Sequence, residues 1–532
     1  MADRVQTASR FSLSRASLAL ATIALLSLVV LSFSSALHRE LLTRSLVLAG
    51  SAGLLSTIWG TMLALCLARA RFPGRSIAIV LVIAGMLLPL YVHLAAWDAM
   101  LGSLGWLSVA TAAPDRPWMS GITAAIWIHS LALLPWSTLL VLVRLASIDP
   151  RLEEQALLEM SETGVLVRVT LPRVASAMAM SMVWGMVATV GEMTVTNVYL
   201  VNTFTEHLYS RLALAAGLEE ILPSLAPLLA MLVLAVSSLF WVTSQLNLAE
   251  VQNARRPVLL ITSGLTKSLA IVVVFVSLGA ITLVPVTNLL SQAGLVVLRN
   301  ASDEPMRTWS ALAAARVVLE TPSQFYREFQ WSIALAVQAA SAGWILALLI
   351  AWIASRVKWG WILLALLCAI GLGMPGPVVG MMLSLVRGES RGSLAYLMDH
   401  SMLMPVIAQS FRIVPLVALL LWQTILSIDT RKIDAAMLDG YSSRGAVAWL
   451  LLSERRIALG SAWLLGVAIS WGELSCSFLA LPPSVDTITR RLFGLVHYGV
   501  DQQVAGISLV MLVAYIGVAA LLWRVVQPPT VR

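Results

Sequence analysis

Four charged side chains stand inside long apolar runs: Asp98, Glu192, Arg412 and Glu473. A charge at the centre of a lipid-facing helix costs on the order of 2.5 to 3.5 kcal/mol on insertion scales, so such groups face protein or a water-filled cavity. Two roles are open to Glu192 and Glu473. They can order a gate or contact a cationic substrate or its coordinated water along a central path, or each can tie an unwound backbone beside Gly191 and Gly472. Arg412 either pairs with a buried carboxylate or touches substrate. No covalent chemistry is legible. The chain lacks a Gly-x-x-x-x-Gly-Lys-Ser/Thr phosphate cradle, and Gly264-Leu265-Thr266-Lys267-Ser268 is only a superficial fragment of one. There is no zinc spacing, nucleophile elbow or CxxC, and Cys66, Cys368 and Cys476 read as small buried side chains. The expectation is a chain that is not an enzyme and has no cofactor and no metal.

The elements that must position these groups are membrane helices. Of 532 residues 59% are hydrophobic and 12% charged, with a mean hydropathy of +0.88, against roughly 25% charged in soluble domains. A bilayer core of about 30 Å needs about 20 apolar helical residues. Twelve such windows are expected, at 16–37, 45–68, 76–101, 121–143, 174–200, 221–245, 268–291, 329–355, 359–385, 403–425, 457–480 and 504–524. The run after Arg4, Arg10 and Arg15 is longer than a signal h-region, which makes it a first span rather than a cleaved leader. The sequence pI near 9.8 reflects topology, not nucleic acid. With the N-terminus inside, 22 of the 35 Lys and Arg fall on the cytoplasmic side, which fits twelve crossings with both termini cytoplasmic. Pro89, Pro135, Pro375, Pro377, Pro405 and Pro415 fall within these windows, where each frees a carbonyl and tends to kink its helix.

The chain repeats itself. LALLPWSTLL around Pro135 matches FRIVPLVALL around Pro415, and SIDPRLEEQALLE from Ser147 matches SIDTRKIDAAMLD from Ser427, both at an offset of 280; Gly191-Glu192 then matches Gly472-Glu473 at 281. The expected domains are therefore 1–255 and 256–532, each of six spans. Because six is even, the halves are parallel and enclose a path between them. In each half the segment between the fourth and fifth spans carries a helix signature, at about 150–165 and about 430–446. Asp149 and Asp429 stand where acidic groups suit a helix start. Ile433, Ala436, Met437 and Gly440 fall at i, i+3, i+4 and i+7 and share a narrow face. A helix this short needs a partner surface, since isolated helices under about 12 to 15 residues are marginal in water.

Asp434-Ala435-Ala436-Met437-Leu438-Asp439-Gly440 resembles the EAA motif of ABC importer permeases. MPGPVVGMMLSL from Met374 and WGELSCSFLALPPSVDTITRRLFGLVHYG from Trp471 are similar to segments of the fused, double-length permeases of the ferric-iron type. The resemblance implies the type I ABC importer permease fold, all-α and polytopic in the bacterial inner membrane. It also implies that each duplicated helix couples to one of two copies of a separate ABC ATPase subunit, and that a solute-binding protein delivers cargo from outside. Asp434, Ala435, Ala436 and Gly440 are the coupling residues of the second half. Glu154, Ala156, Glu159 and Met160 are those of the first, where the register stays open. Counting from Glu154 puts Met160 at the glycine position, and counting back from Leu171-Pro172 puts Glu153 and Glu159 at the acidic and glycine positions. The second half has Leu452-Ser453 in place of the leucine-proline pair.

The expected function is thus the permease subunit of an ATP-driven importer, with ferric iron first as cargo and thiamine or another small solute as alternatives. A gradient-driven secondary transporter using Glu192, Glu473 and Asp98 as ion carriers is a further alternative; it has no need of the paired helices. Membrane lipid is an expected partner and nucleic acid is not. The outer segment from Ser291 to Glu328 either meets a periplasmic partner or is a solvated loop.

Overall fold

In the computed structural model, residues 36–102, 105–110, 117–213, 258–262, 264–299, 305–357, 359–482 and 484–526 are described. The expected sixth span, nearly all of the first, and the boundary between residues 255 and 256 lie outside them.

The chain is nearly all α-helical, and its long apolar windows become long helices. Among the described residues seven are long and apolar enough to cross a bilayer: α1 (Ala36–Arg69), α4 (Gly121–Ala146), α6 (Glu162–Val190), α7 (Gly264–Ala293), α9 (Tyr326–Arg356), α12 (Leu403–Leu426) and α17, whose apolar part is Asp501–Arg524. These make it a multi-pass membrane protein. Two more apolar windows fold as bent pairs. α2 (Arg75–Leu87) meets α3 (Leu90–Leu101) in a segment bent by 102°, and α10 (Gly360–Gly373) meets α11 (Gly376–Glu389) at 91°. Counting each pair as one span gives nine among the described residues, which leave out the expected sixth span and nearly all of the first, and α15 (Arg456–Gly472) is a shorter apolar helix.

Proline dictates both bends. A proline has no N–H to give to the preceding turn and drives the residue before it out of the helical region. Leu88, before Pro89, has ψ 125°, and Met374, before Pro375, has ψ 127°. Pro135 and Pro415 instead stay inside α4 and α12, each against a glycine of the neighbouring bent pair. A Cβ on Gly371 would lie 2.4 Å from Pro415 Cγ, and one on Gly85 3.1 Å from Pro135 Cγ. Glycine is what permits these crossings.

The fifth and eleventh windows end sooner than expected. α6 stops at Val190 and α15 at Gly472, so Glu192 and Glu473 follow their helices instead of lying within them. Between α4 and α6 sits α5 (Pro150–Leu157); between α12 and α15 sit α13 (Thr430–Leu438) and α14 (Ser443–Glu454). The expected continuous helices at 150–165 and 430–446 are therefore each broken in two. The outer segment is folded as well: β1 (Leu295–Arg299) pairs antiparallel with β2 (Pro305–Trp309), followed by α8 (Ala311–Gln324).

The largest apolar cluster does not respect the sequence repeat. Leu87, Tyr91, Val92 and Ala96 from the first bend pack with Leu289, Leu492, Ile507 and Tyr515. The expected halves thus share a core, and the α2–α3 bend is held against the end of the chain.

Candidate functional site

The two bends and the two interrupted helix ends converge on one cavity of about 280 Å³. Met86, Pro89, Tyr91, Trp136, Trp184, Gly191, Glu192 and Thr194 line it from the first half of the sequence; Leu372, Arg412, Leu416, Leu465, Gly472, Glu473 and Ser475 line it from the second. Much of the lining is paired by the repeat: Trp136 with Leu416 at 280, and Trp184 with Leu465, Glu192 with Glu473 and Thr194 with Ser475 at 281. A Cβ on Gly472 would meet Pro89 Cγ at 2.6 Å, so the helix end of one half seats against the proline break of the other.

Three residues singled out in the sequence, Glu192, Glu473 and Arg412, therefore line one cavity. Glu192 Oε1 accepts from the Thr194 amide at 2.5 Å and Oε2 from the Val195 amide at 3.1 Å. Glu473 Oε1 accepts from the Cys476 amide at 2.9 Å, and Oε2 from the Ser477 amide at 3.3 Å and hydroxyl at 3.4 Å. Each carboxylate caps the turn that follows its break, where exposed amides and the local dipole favour negative charge. This is the backbone-tying role. Arg412 makes no ion pair with a carboxylate among the described residues; its Nη1 donates to the Leu372 carbonyl at 2.6 Å. The Pro375 break leaves that carbonyl without its helical donor, and the guanidinium supplies one. Asp98 is outside the cavity lining and accepts from the Tyr199 hydroxyl at 3.2 Å.

Behind each carboxylate lies a polar cluster that sequence reasoning missed. In the second copy Ser470 donates to Gln409 Oε1, Gln409 Nε2 donates to Ser477 Oγ at 3.4 Å, and Ser477 reaches Glu473. The corresponding first-copy residues are His129, Thr189, Thr196 and Glu192. There His129 Nε2 stops 3.7 Å from Glu192 Oε2, and both His129 Nε2 and Thr189 Oγ1 are buried without a hydrogen-bond partner. The signal was available: His129 and Gln409 are polar residues at an offset of 280 inside apolar runs.

The second candidate region is the pair of segments between spans. Asp149 and Asp429 cap α5 and α13 through the Arg151 and Arg431 amides at 3.1 and 2.9 Å. Ser161 and Ser442 cap the helices that follow through the Gly164 and Gly445 amides at 3.3 and 3.1 Å, a Ser-x-x-Gly match at offset 281 that had gone unread. The one-residue difference between the two offsets lies between these caps. Gly440 sits at φ +92°, with Tyr441 N bonded to Ala436 O and Gly440 N to Met437 O, a Schellman ending that needs a left-handed residue. In the first copy Met160 N and Glu159 N both bond Ala156 O, and neither residue has positive φ. The first copy lacks the glycine because it lacks the residue that would have to be one.

Placement of the expected coupling residues is mixed. Glu154, Glu159, Asp434, Ala435 and Gly440 are exposed, Ala156 and Met160 are half-buried, and Ala436 is buried beside the partly buried Ile433. The face drawn through Ile433, Ala436, Met437 and Gly440 therefore divides, two residues packing inward and two facing out. The most exposed apolar side chains here are Leu158 at 87% and Leu438 at 90%, equivalent at offset 280. Glu153, the alternative acidic position, is buried: Arg69 Nη2 donates to its Oε1 at 3.0 Å and Thr170 Oγ1 does so at 2.7 Å. The second copy puts Ile433 and Leu451 at the positions of Glu153 and Thr170.

In the 473–491 segment, Thr487 caps α16 (Ile488–Tyr498) through the Arg490 amide at 3.4 Å, and the Ile488 amide donates to Ser332 Oγ at 2.8 Å. Burial pushes the Asp486 carboxyl above its ordinary range, opposed by Arg490 at 3.7 Å. These residues anchor a loop. Among the described residues no group of three or more His, Cys, Asp or Glu could hold a metal ion. No protein-family model matches the chain, and no curated protein matches it.

Proposed function

We propose that the chain is the membrane-spanning permease subunit of an ATP-driven ABC importer, with twelve spans in two parallel halves of the type I fold. The observation that carries the reading is the duplicated, N-capped helix α5/α13 with an equivalent, almost fully exposed leucine, Leu158 and Leu438, at each tip. Burying a leucine side chain is worth roughly 1.5 to 3 kcal/mol, so two matched tips suit two copies of one partner. ATP-driven closure of two ATPase subunits would draw the tips together, turn the halves against each other and alter access to the cavity between them. Glu154, Glu159, Asp434, Ala435 and Gly440 surround the tips and would orient the contact. In this reading both termini lie on the cytoplasmic side, and a solute-binding protein delivers cargo at the other face. The sequence resemblance puts ferric iron first as cargo, with thiamine or another small solute behind it.

The test is reconstitution with an ABC ATPase subunit that co-purifies with the chain from its native membrane. Leu158→Asp with Leu438→Asp should abolish its co-purification and ATP-dependent uptake while the permease stays monodisperse. Full uptake without any ATPase, or retention of the ATPase by the double variant, overturns the proposal.

A further inference from the structure

The helix α8, in the segment between α7 and α9, has three distinct sides. At about 3.6 residues per turn, Ala314, Val317, Val318 and Thr321 share one side and pack inward: Ala314 and Thr321 are buried, and Val317 and Val318 join the cluster that holds the α2–α3 bend. Ala311, Leu312, Ala315, Leu319 and Pro322 form a second stripe, every one of them exposed, Leu312 at 77% and Leu319 at 78%. Arg316, Glu320, Ser323 and Gln324 form a third, also exposed, with Arg316 Nε 3.4 Å from Glu320 Oε1. A surface helix in water is polar wherever it is not packed. Two nearly bare leucines between the packed side and the polar side therefore call for a cover.

The neighbouring surface says what the cover is. α8 crosses α17 at Gly506, where a Cβ would stand 3.0 Å from Val317 Cγ1 and closer still to Thr321 Oγ1. On the same face of α17, at i+7 and i+11 from Gly506, stand Val513, 68% exposed, and the exposed Gly517. Since α17 is long and apolar enough to span a bilayer, that bare apolar face fronts lipid, and α8 lies across it near the start of the span. Both ends of α8 are held at this level. Trp309 Nε1 donates to the Leu290 carbonyl in the last turn of α7 at 3.3 Å, and the Ser310 amide to the Gly294 carbonyl at 2.8 Å; at the other end Tyr326 opens α9. Trp309 and Tyr326 are each more than half exposed, and these are the residue types that collect at membrane–water interfaces.

We propose that α8 is an interfacial helix whose partner is the lipid surface itself. Its Leu312–Leu319 stripe is sunk among the headgroups and upper acyl chains of the leaflet at which α7 ends and α9 begins, and Arg316, Glu320 and Gln324 are turned to water. The helix is then neither a solvated loop nor a landing site for a soluble protein, the two roles open to this segment in the sequence, and the assignment holds whatever the chain transports. Through Ala314, Val317 and Val318, a helix seated in the leaflet is packed into the same core as the α2–α3 bend.

Site-directed spin labelling of the full chain in phosphatidylcholine nanodiscs tests this. Cys66, Cys368 and Cys476 are replaced by alanine, and single labels are introduced through Leu312→Cys, Leu319→Cys, Arg316→Cys, Glu320→Cys and, as a lipid-facing reference, Val513→Cys. All five positions are exposed, so the labels displace no packing. An interfacial helix buries its apolar side about 5 to 10 Å, so the ratio of collision rates with oxygen and with nickel-EDDA should be at least about threefold higher at 312 and 319 than at 316 and 320, moving toward the value at 513. Ratios at 312 and 319 no higher than at 316 and 320 overturn the proposal and leave the stripe to a soluble protein. Spin–spin broadening between chains at 312 and 319, or labels there that neither reagent reaches, overturn it in favour of a second copy.

Discussion

Replacing Glu473 by glutamine should loosen one turn of the chain by a calculable amount. The carboxylate receives three hydrogen bonds, from the Cys476 amide, the Ser477 amide and the Ser477 hydroxyl. A carboxamide keeps one acceptor oxygen and turns its NH₂ toward the remaining donors. Bonds to a charged acceptor are worth about 1.5 to 3 kcal/mol and neutral ones about 1, so losing one bond and weakening another costs about 2 kcal/mol. That raises the open population of the turn roughly 30-fold. Cys476 reports it directly, being a free cysteine with 0% exposure whose own amide is one of the donors. With Cys66 and Cys368 replaced by alanine, maleimide labelling of Cys476 should run 10- to 30-fold faster in Glu473→Gln than in the parent, since labelling through rare opening follows the open population. Uptake should fall while membrane yield holds. Labelling within twofold of the parent, in a monodisperse sample, would refute the capping role. Val195→Cys with Glu192→Gln repeats the experiment in the first copy and should give the same ratio.

Three further outcomes are expected. Removing one partner of the buried Arg69–Glu153 pair, as in Glu153→Gln, should cost about 3 to 5 kcal/mol and lower the thermal midpoint, while Arg69→Met with Glu153→Leu should recover most of it; equal midpoints for all three proteins would show the pair to be inert. His129→Gln, which copies Gln409, should raise the midpoint by supplying partners for groups now unpaired, worth about 1 kcal/mol, and a lower midpoint would count against the equivalence. Gly440→Ala meets no neighbouring atom but holds φ at +92°, so it should cost about 1 kcal/mol; a neutral effect would mean the turn relaxes freely.

Composition made the membrane helices legible because apolar run length is a direct physical requirement of the bilayer. The repeat was legible because its anchors, Pro135/Pro415 and Glu192/Glu473, keep type and spacing. Depth along a span was not. Hydropathy continues smoothly through Val190–Met193 and Gly472–Cys476, yet a glycine followed by a carboxylate able to take the next amides ends the helix there. The bends at Leu88–Pro89 and Met374–Pro375 were half legible: proline announces a lost hydrogen bond, but not bends as large as 102° and 91°. The carbonyl partner of Arg412 was not legible for a related reason. A buried guanidinium suggests a carboxylate partner, and one freed carbonyl cannot be told from another in sequence.

The differences between the copies are more informative than the likenesses. A duplicated bundle that kept every side chain would offer any ligand on its axis two identical faces, and a small asymmetric molecule could use only one at a time. At the cavity the backbone has stayed two-fold, with paired breaks, paired carboxylate caps and the paired hydroxyls of Thr194 and Ser475, while Tyr91, Trp184 and Arg412 each have an apolar counterpart in the other copy. The same division recurs at the tips, where one copy is pinned by a buried ion pair and the other by Ile433 and Leu451, while Leu158 and Leu438 stay alike.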